Sequence, residues 1–136
     1  VLEPDTQSAL GQIVLISSLA IKDTLELDYL LANCTIKPPN DVYCNGKKIA
    51  GVLADAMVQG ERSLVCLGLG ANLNNDPSSN EEIAQIATSY RNETGNQIEI
   101  EEFLIKLLIR LDLKYHHLLI GGGGEEKEPD HFSETT

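Results

Sequence analysis

The chain has no tryptophan, two phenylalanines, four tyrosines and a single methionine among 136 residues. A core built from it must rest on Leu, Ile, Val and Ala. It has little positive charge: 10 Lys and Arg face 21 Asp and Glu, a formal net charge of −11. That balance argues against nucleic acid or an anionic membrane as partner. The three arginines, Arg62, Arg91 and Arg110, are widely separated. No apolar run reads as long enough to cross a bilayer and no N-terminal stretch reads as a signal peptide, so a cytoplasmic location is expected. Three cysteines, Cys34, Cys44 and Cys66, are an odd number without metal-ligand spacing, and their apolar surroundings suggest reduced core residues. No metal site is expected. Two N-x-S/T triplets, at Asn33 and Asn92, are read as unglycosylated in that setting.

What is present is an architecture. Apolar residues make up 42%, within the globular range, and the length suits one domain. Residues 7–28 read as a helix with Leu10, Ile13, Val14, Ser17, Ile21 and Leu25 on one face. From 34 to 73 the pattern changes to strands. Residues 34–37 are stopped by Pro38-Pro39, and 42–44 lead into Asn45-Gly46, a strong hairpin signal. Residues 47–58 and 62–73 follow as two long strands around the turn at 59–61, making an antiparallel meander. Short helices are expected near 80–87 and from Tyr90 to Gly95. A long helix then carries Ile100, Phe103, Leu104, Leu107, Leu108, Leu111, Tyr115, Leu118 and Leu119, with Ile105, Ile109 and Leu113 as a second stripe. Gly121–Gly124 is expected to end it. The fold class is α+β, an antiparallel or mixed sheet packed with helices. Residues 1–120 form the domain, and residues 121–136 a Gly-rich linker with an acidic tail of five carboxylates against Lys127.

Three segments are candidates for chemistry. In "CTIKPPND", Pro38 and Pro39 preset the backbone after Lys37, while Asn40 and Asp41 can close the turn through their own side chains. A lysine so mounted presents a compact charge suited to a carboxylate or phosphate oxygen; an ordinary solvated turn lysine is the alternative. In "KIAGVL", Gly51 inside a strand marks a bulge or a close backbone approach. In "LGLGANLN", Gly68 and Gly70 strip one strand face of side chains and Asn72 follows at the same parity with an amide that both donates and accepts. For each glycine, ligand contact and tight packing beneath a helix stand side by side as readings. The segment is not a dinucleotide-binding loop, since it lacks a third glycine and does not open a helix.

Taken together, "IKPPNDVYCNGKKIAGVL" and "LGLGANLNN" resemble the catalytic domain of the biotin–protein ligases, with "IATSYRNETG" and the long helix extending the similarity over residues 1 to 119. The resemblance implies the class II synthetase/biotin-ligase fold and an ATP-dependent reaction. In it, biotin is adenylated with magnesium present, then passed to a lysine of a biotin carboxyl carrier protein domain. It further implies that Lys37 is the catalytic cation at the acyl-phosphate junction, set by the Pro39-Asn40-Asp41 turn. Lys37, Gly51, Gly68 and Gly70 would contact biotin, and Asn72 the nucleotide. Two departures stand out. Pro38 occupies the position where the family has tryptophan, and the Gly/Arg-rich phosphate loop and small C-terminal barrel have no counterpart here. The chain is therefore expected to be the C-terminal portion of the domain, inactive alone and completed by an upstream segment or subunit. A homodimer and a non-catalytic subunit binding biotin, a carrier or a ligase partner are the alternatives.

Overall fold

A computed structural model describes residues 4–123, with side chains over residues 8–119. Helix α1 runs Pro4–Asp23 and continues as a π-helical turn, Thr24–Asp28. Four strands follow, β1 Cys34–Lys37, β2 Asp41–Cys44, β3 Lys47–Gln59 and β4 Arg62–Ala71, forming one antiparallel sheet in chain order. A 3-10 turn, Pro77–Ser79, and helices α2 Glu81–Ala84, α3 Tyr90–Thr94 and α4 Ile100–Gly123 complete the described residues. The expected α+β meander is observed. The acidic tail lies outside the described residues.

Local chemistry accounts for the joints. Asn45 and Gly46 both adopt positive φ, 51° and 82°, as the two-residue hairpin turn requires. Asn80 caps α2 by accepting from the Glu82 and Ile83 amides at 2.9 and 3.3 Å, and Ser89 caps α3 by accepting from Asn92 at 3.0 Å. Gly95, at φ 78°, closes α3 in the left-handed conformation.

One face of the sheet is covered. Val42, Ala50 and Val52 from the strands meet Ala20, Ile21 and Leu25 of α1, with Phe103 and Leu107 of α4, in a single core. The helix carries hydroxyls into that core at no loss, because Ser17, Ser18 and Thr24 bond back to the carbonyls four residues earlier. Residues Ser8–Asp28 are long and apolar enough to cross a bilayer by length and composition, contrary to the expectation that no such run exists. Here Ala20, Ile21 and Leu25 of that stretch are fully buried in the core.

Helix α4 is fastened at its inner face by charge. Arg110 holds Asp28 through two bonds of 3.0 and 3.1 Å, and Lys114 reaches Asp23 at 2.8 Å. Its apolar stripes are only partly used: Phe103 and Leu107 are buried, while Leu104, Ile105, Leu108, Ile109 and Leu113 are each at least half exposed. Burial of the second stripe is not supplied by the described residues.

Candidate functional site

On the opposite face of the sheet no helix among the described residues lies over the glycines. Register explains which residues meet there. Lys37 pairs with Asp41, Asp41 with Gly51, and Gly51 with Gly70, so these four lie in one row across all four strands. Residues paired across strands point to the same face. The next row down adds Leu53 opposite Gly68. A cleft of about 550 Å3 opens over this floor, lined by Asn40, Asp41, Lys48, Gly51, Gly68, Gly70 and Asn72 among others.

Among the described residues no helix packs on Gly68 or Gly70. A Cβ on Gly70 would meet nothing within 4 Å, and one on Gly68 only the Leu53 carbonyl at 3.9 Å. Gly51 differs: its Cβ would lie 3.1 Å from Lys48 Cε and 3.2 Å from both Lys48 Nζ and Asp41 Oδ1. The bare backbone at Gly51 is therefore the seat of the Lys48 side chain, which pairs with Asp41 at 3.2 Å.

Lys48 is the residue that the sequence reading passed over. In a regular strand Lys48 and Gly51, three apart, point to opposite faces. Here Val42 pairs with Ala50 but Tyr43 pairs with Lys48, leaving Ile49 as an extra residue. This bulge turns Lys48 onto the cleft side, and Ile49 and Ala50 are consecutively buried as a result. The segment 86–88 holds the backbone at this point: Lys48 donates to the Ile86 carbonyl and accepts from the Thr88 amide, both at 2.9 Å. The signal in the sequence was the lysine at the head of "KIAGVL"; its facing was hidden by the bulge.

Lys37 ends β1 on the same face, exposed, with its ammonium 5.0 Å from the centre of the Tyr43 ring. It stands beside the cleft and is not among the residues lining it. Pro39 likewise belongs to the turn and not to the lining; the Pro38–Pro39 peptide is cis. Asn40 ties that turn to the sheet twice, its side chain donating to the Val52 carbonyl at 2.8 Å and its carbonyl accepting from the Val52 amide at 2.9 Å. Asn72 lines the cleft with its amide partly committed, donating to the Thr88 carbonyl and accepting from Asn75, each at 3.1 Å. One amide hydrogen and one lone pair remain for a ligand. Among the described residues no group of three or more His, Cys, Asp or Glu side chains is placed to hold a metal.

Fold and cleft together define an α+β domain whose open sheet face presents a glycine floor edged by one lysine–aspartate pair. Residues 2–72 match the model of the biotin/lipoate A/B protein ligase family. The chain belongs to that family. It is 37% identical over 100 residues to a biotin–[acetyl-CoA-carboxylase] ligase of Paracoccus denitrificans, covering 71% of this chain and 42% of the relative. It is 28% identical over 113 residues to the bifunctional ligase/repressor BirA of Bacillus subtilis, covering 82% and 34%. A biotin protein ligase from Aquifex aeolicus, solved with biotin and ATP, superposes with a TM-score of 0.70 at 31% identity, over 86% of this chain and 48% of that one. The ligase from Leishmania major shares the fold at 19% identity, TM-score 0.58. The chain thus spans less than half the length of these curated relatives.

Proposed function

We propose that this chain forms part of the catalytic domain of a biotin–protein ligase, and that the glycine-floored cleft takes biotin with its carboxylate directed at Lys48. The observation that carries the reading is the row Asp41–Gly51–Gly70 with Lys48 seated on Gly51: a flat apolar floor for a fused-ring ligand, ending at one fixed cation. The family membership, and a relative solved with biotin and ATP, support the substrate class.

In the first step a biotin carboxylate oxygen attacks the α-phosphorus of ATP, forming the acyl phosphate as the bond to pyrophosphate breaks. In the second, a carrier lysine amine attacks the acyl carbon and AMP leaves with the electron pair of the broken C–O bond. Lys48, the one cation lining the cleft among the described residues, would neutralise charge gathering on the carboxylate and α-phosphate oxygens. Asp41 would hold that ammonium in place between turnovers. Lys37, one strand further out and stacked on Tyr43, would extend the positive field toward the phosphates, in the role assigned to it from the resemblance. Asn72 has the remaining donor and acceptor to read the nucleotide. The cleft does not suit magnesium on its own residues, since its one carboxylate, Asp41, is already paired with a lysine.

A triphosphate needs more cations than this cleft supplies, so activity requires an upstream segment or subunit with phosphate-binding side chains. The test is biotinylation of a biotin carboxyl carrier domain by the chain with ATP and biotin, in the presence and absence of an upstream ligase segment from a family member. Activity is expected only in the mixture. Lys48→Met should lower its kcat by roughly 100-fold or more and Lys37→Met by less. Equal rates for Lys48→Met and the unsubstituted chain would sink the assignment of Lys48. Biotin binding by calorimetry with no reconstituted turnover would instead favour a non-catalytic binding subunit.

A further inference from the structure

Cys34 and Cys44 were expected to be ordinary core thiols, but the register sets them directly opposite one another at the open end of the β1–β2 hairpin, away from its turn. Opposed residues of antiparallel strands have Cα atoms about 4.5 or 5.5 Å apart, and a disulfide accepts about 4.4–6.8 Å. Either kind of pair therefore falls in range. Both side chains point into the same core and both are buried, Cys34 at 6% and Cys44 at 0% exposure. Cys44 donates to the Ala32 carbonyl at 3.3 Å. The third cysteine, Cys66, is exposed on β4 and belongs to a different part of the sheet.

The residues between the two cysteines are the turn described above. Lys37, Asn40 and Asp41 all fall inside the loop that a 34–44 bond would close. We propose that Cys34 and Cys44 are a disulfide-forming pair, whose oxidation fastens the base of the Lys37–Asp41 turn and whose reduction leaves β1 held by strand pairing alone. The proposal does not depend on the ligase reading, since it concerns only these two thiols and their strands.

The route follows from exposure. Cys34 is the first residue of a four-residue strand at the edge of the sheet, so fraying of that edge uncovers it before Cys44. A small-molecule disulfide is then cleaved by the Cys34 thiolate, giving a mixed disulfide and one released thiol. Cys44 attacks the mixed disulfide at the Cys34 sulfur and expels the second thiol. Two thiol protons and two electrons leave the protein, and the oxidant is reduced to two thiols. Burial raises the pKa of both cysteines, that of Cys44 to about 12, so thiolate is scarce until the edge opens.

The experiment uses the Cys66→Ser chain, which removes the exposed thiol and nothing in the core. The reduced chain is incubated with oxidised glutathione, denatured, alkylated and weighed by mass spectrometry, with peptide mapping of the product. The expected product lacks two hydrogens, takes up no alkyl group and gives a linked peptide pair containing Cys34 and Cys44. Its melting temperature should rise by roughly 10 °C over the reduced form, and amide exchange at Asn40 and Asp41 should slow. Adding Cys44→Val should stop the reaction at a glutathione adduct on Cys34. Two alkylated thiols after prolonged oxidation, a lasting adduct in the Cys66→Ser chain, or a lower melting temperature on oxidation would each overturn the proposal.

Discussion

The two faces of the sheet are made from the same strands and behave as opposites. On the covered face Val42, Ala50 and Val52 interlock with α1 and α4, and the buried hydroxyls of Ser17, Ser18 and Thr24, along α1 and its π-helical turn, each find a carbonyl. On the bare face the neighbouring residues of those strands are Asp41, Gly51, Leu53, Gly68 and Gly70, with Leu53 75% exposed. The first face holds apolar area out of water and fixes the backbone. The second spends backbone entropy on glycines to keep a floor clear and one cation in place. The covered face makes the rigid plane; the bare face uses it.

The comparison can be broken from either side. Ile21, fully buried against the sheet, should cost about 2–5 kcal/mol when replaced by alanine, measured as a lower urea midpoint with an unchanged slope. Gly70→Val tests the opposite property. A Cβ there meets nothing within 4 Å among the described residues, so stability should hold within about 0.5 kcal/mol, whereas on the proposed function biotin affinity of the chain mixed with an upstream segment should fall at least roughly tenfold. A large loss of stability in Gly70→Val would mean that the bare face is packed after all.

A subtler test concerns the wall behind Lys48. Ser89 is buried and caps α3, directly after the segment that bonds the Lys48 backbone. Ser89→Ala should cost about 1 kcal/mol and speed amide exchange at Lys48 and Thr88 together. The smallest effect is on the covered side, at the clamp between the π-helical turn and α4. Arg110 holds the Asp28 carboxyl below its ordinary pKa. Its contribution is therefore complete above the unfolded carboxylate value of about 3.9 and lost as pH falls through the lower native value. Thermal melts of the parent and Asp28→Asn should differ by less than about 1 kcal/mol at neutral pH and converge as the solution is acidified below that range.

Much of this was legible beforehand. Asn45-Gly46 and Gly95 tolerate the positive φ that most residues avoid, and the proline pair fixes its own φ, so these turns follow from the residue types and set the strand order. The glycine row was visible as well, because Gly68 and Gly70 alternate. What covers it was not, since alternation says which residues share a face and nothing about their neighbours. The apolar stripes of α4 mark it as a helix with large hydrophobic surface, yet Ile105, Ile109 and Leu113 are left open by the described residues. A stripe in sequence records an apolar face, and its burial depends on a neighbour.

Lys37 and Lys48 draw the line most sharply. Both lysines stand in short motifs, and only Lys37 was singled out, because its proline mount is a covalent property of the chain. Lys48 owes its place to one unpaired residue, Ile49, in the register between β2 and β3. Register is a property of two strands at once, fixed by how both fill the core, so no pattern within either strand contains it. The sequence by itself determined the elements, their turns and the glycine floor through local φ preferences and periodicity. Only the tertiary structure decided which face stays open and which lysine stands at the edge of the cleft.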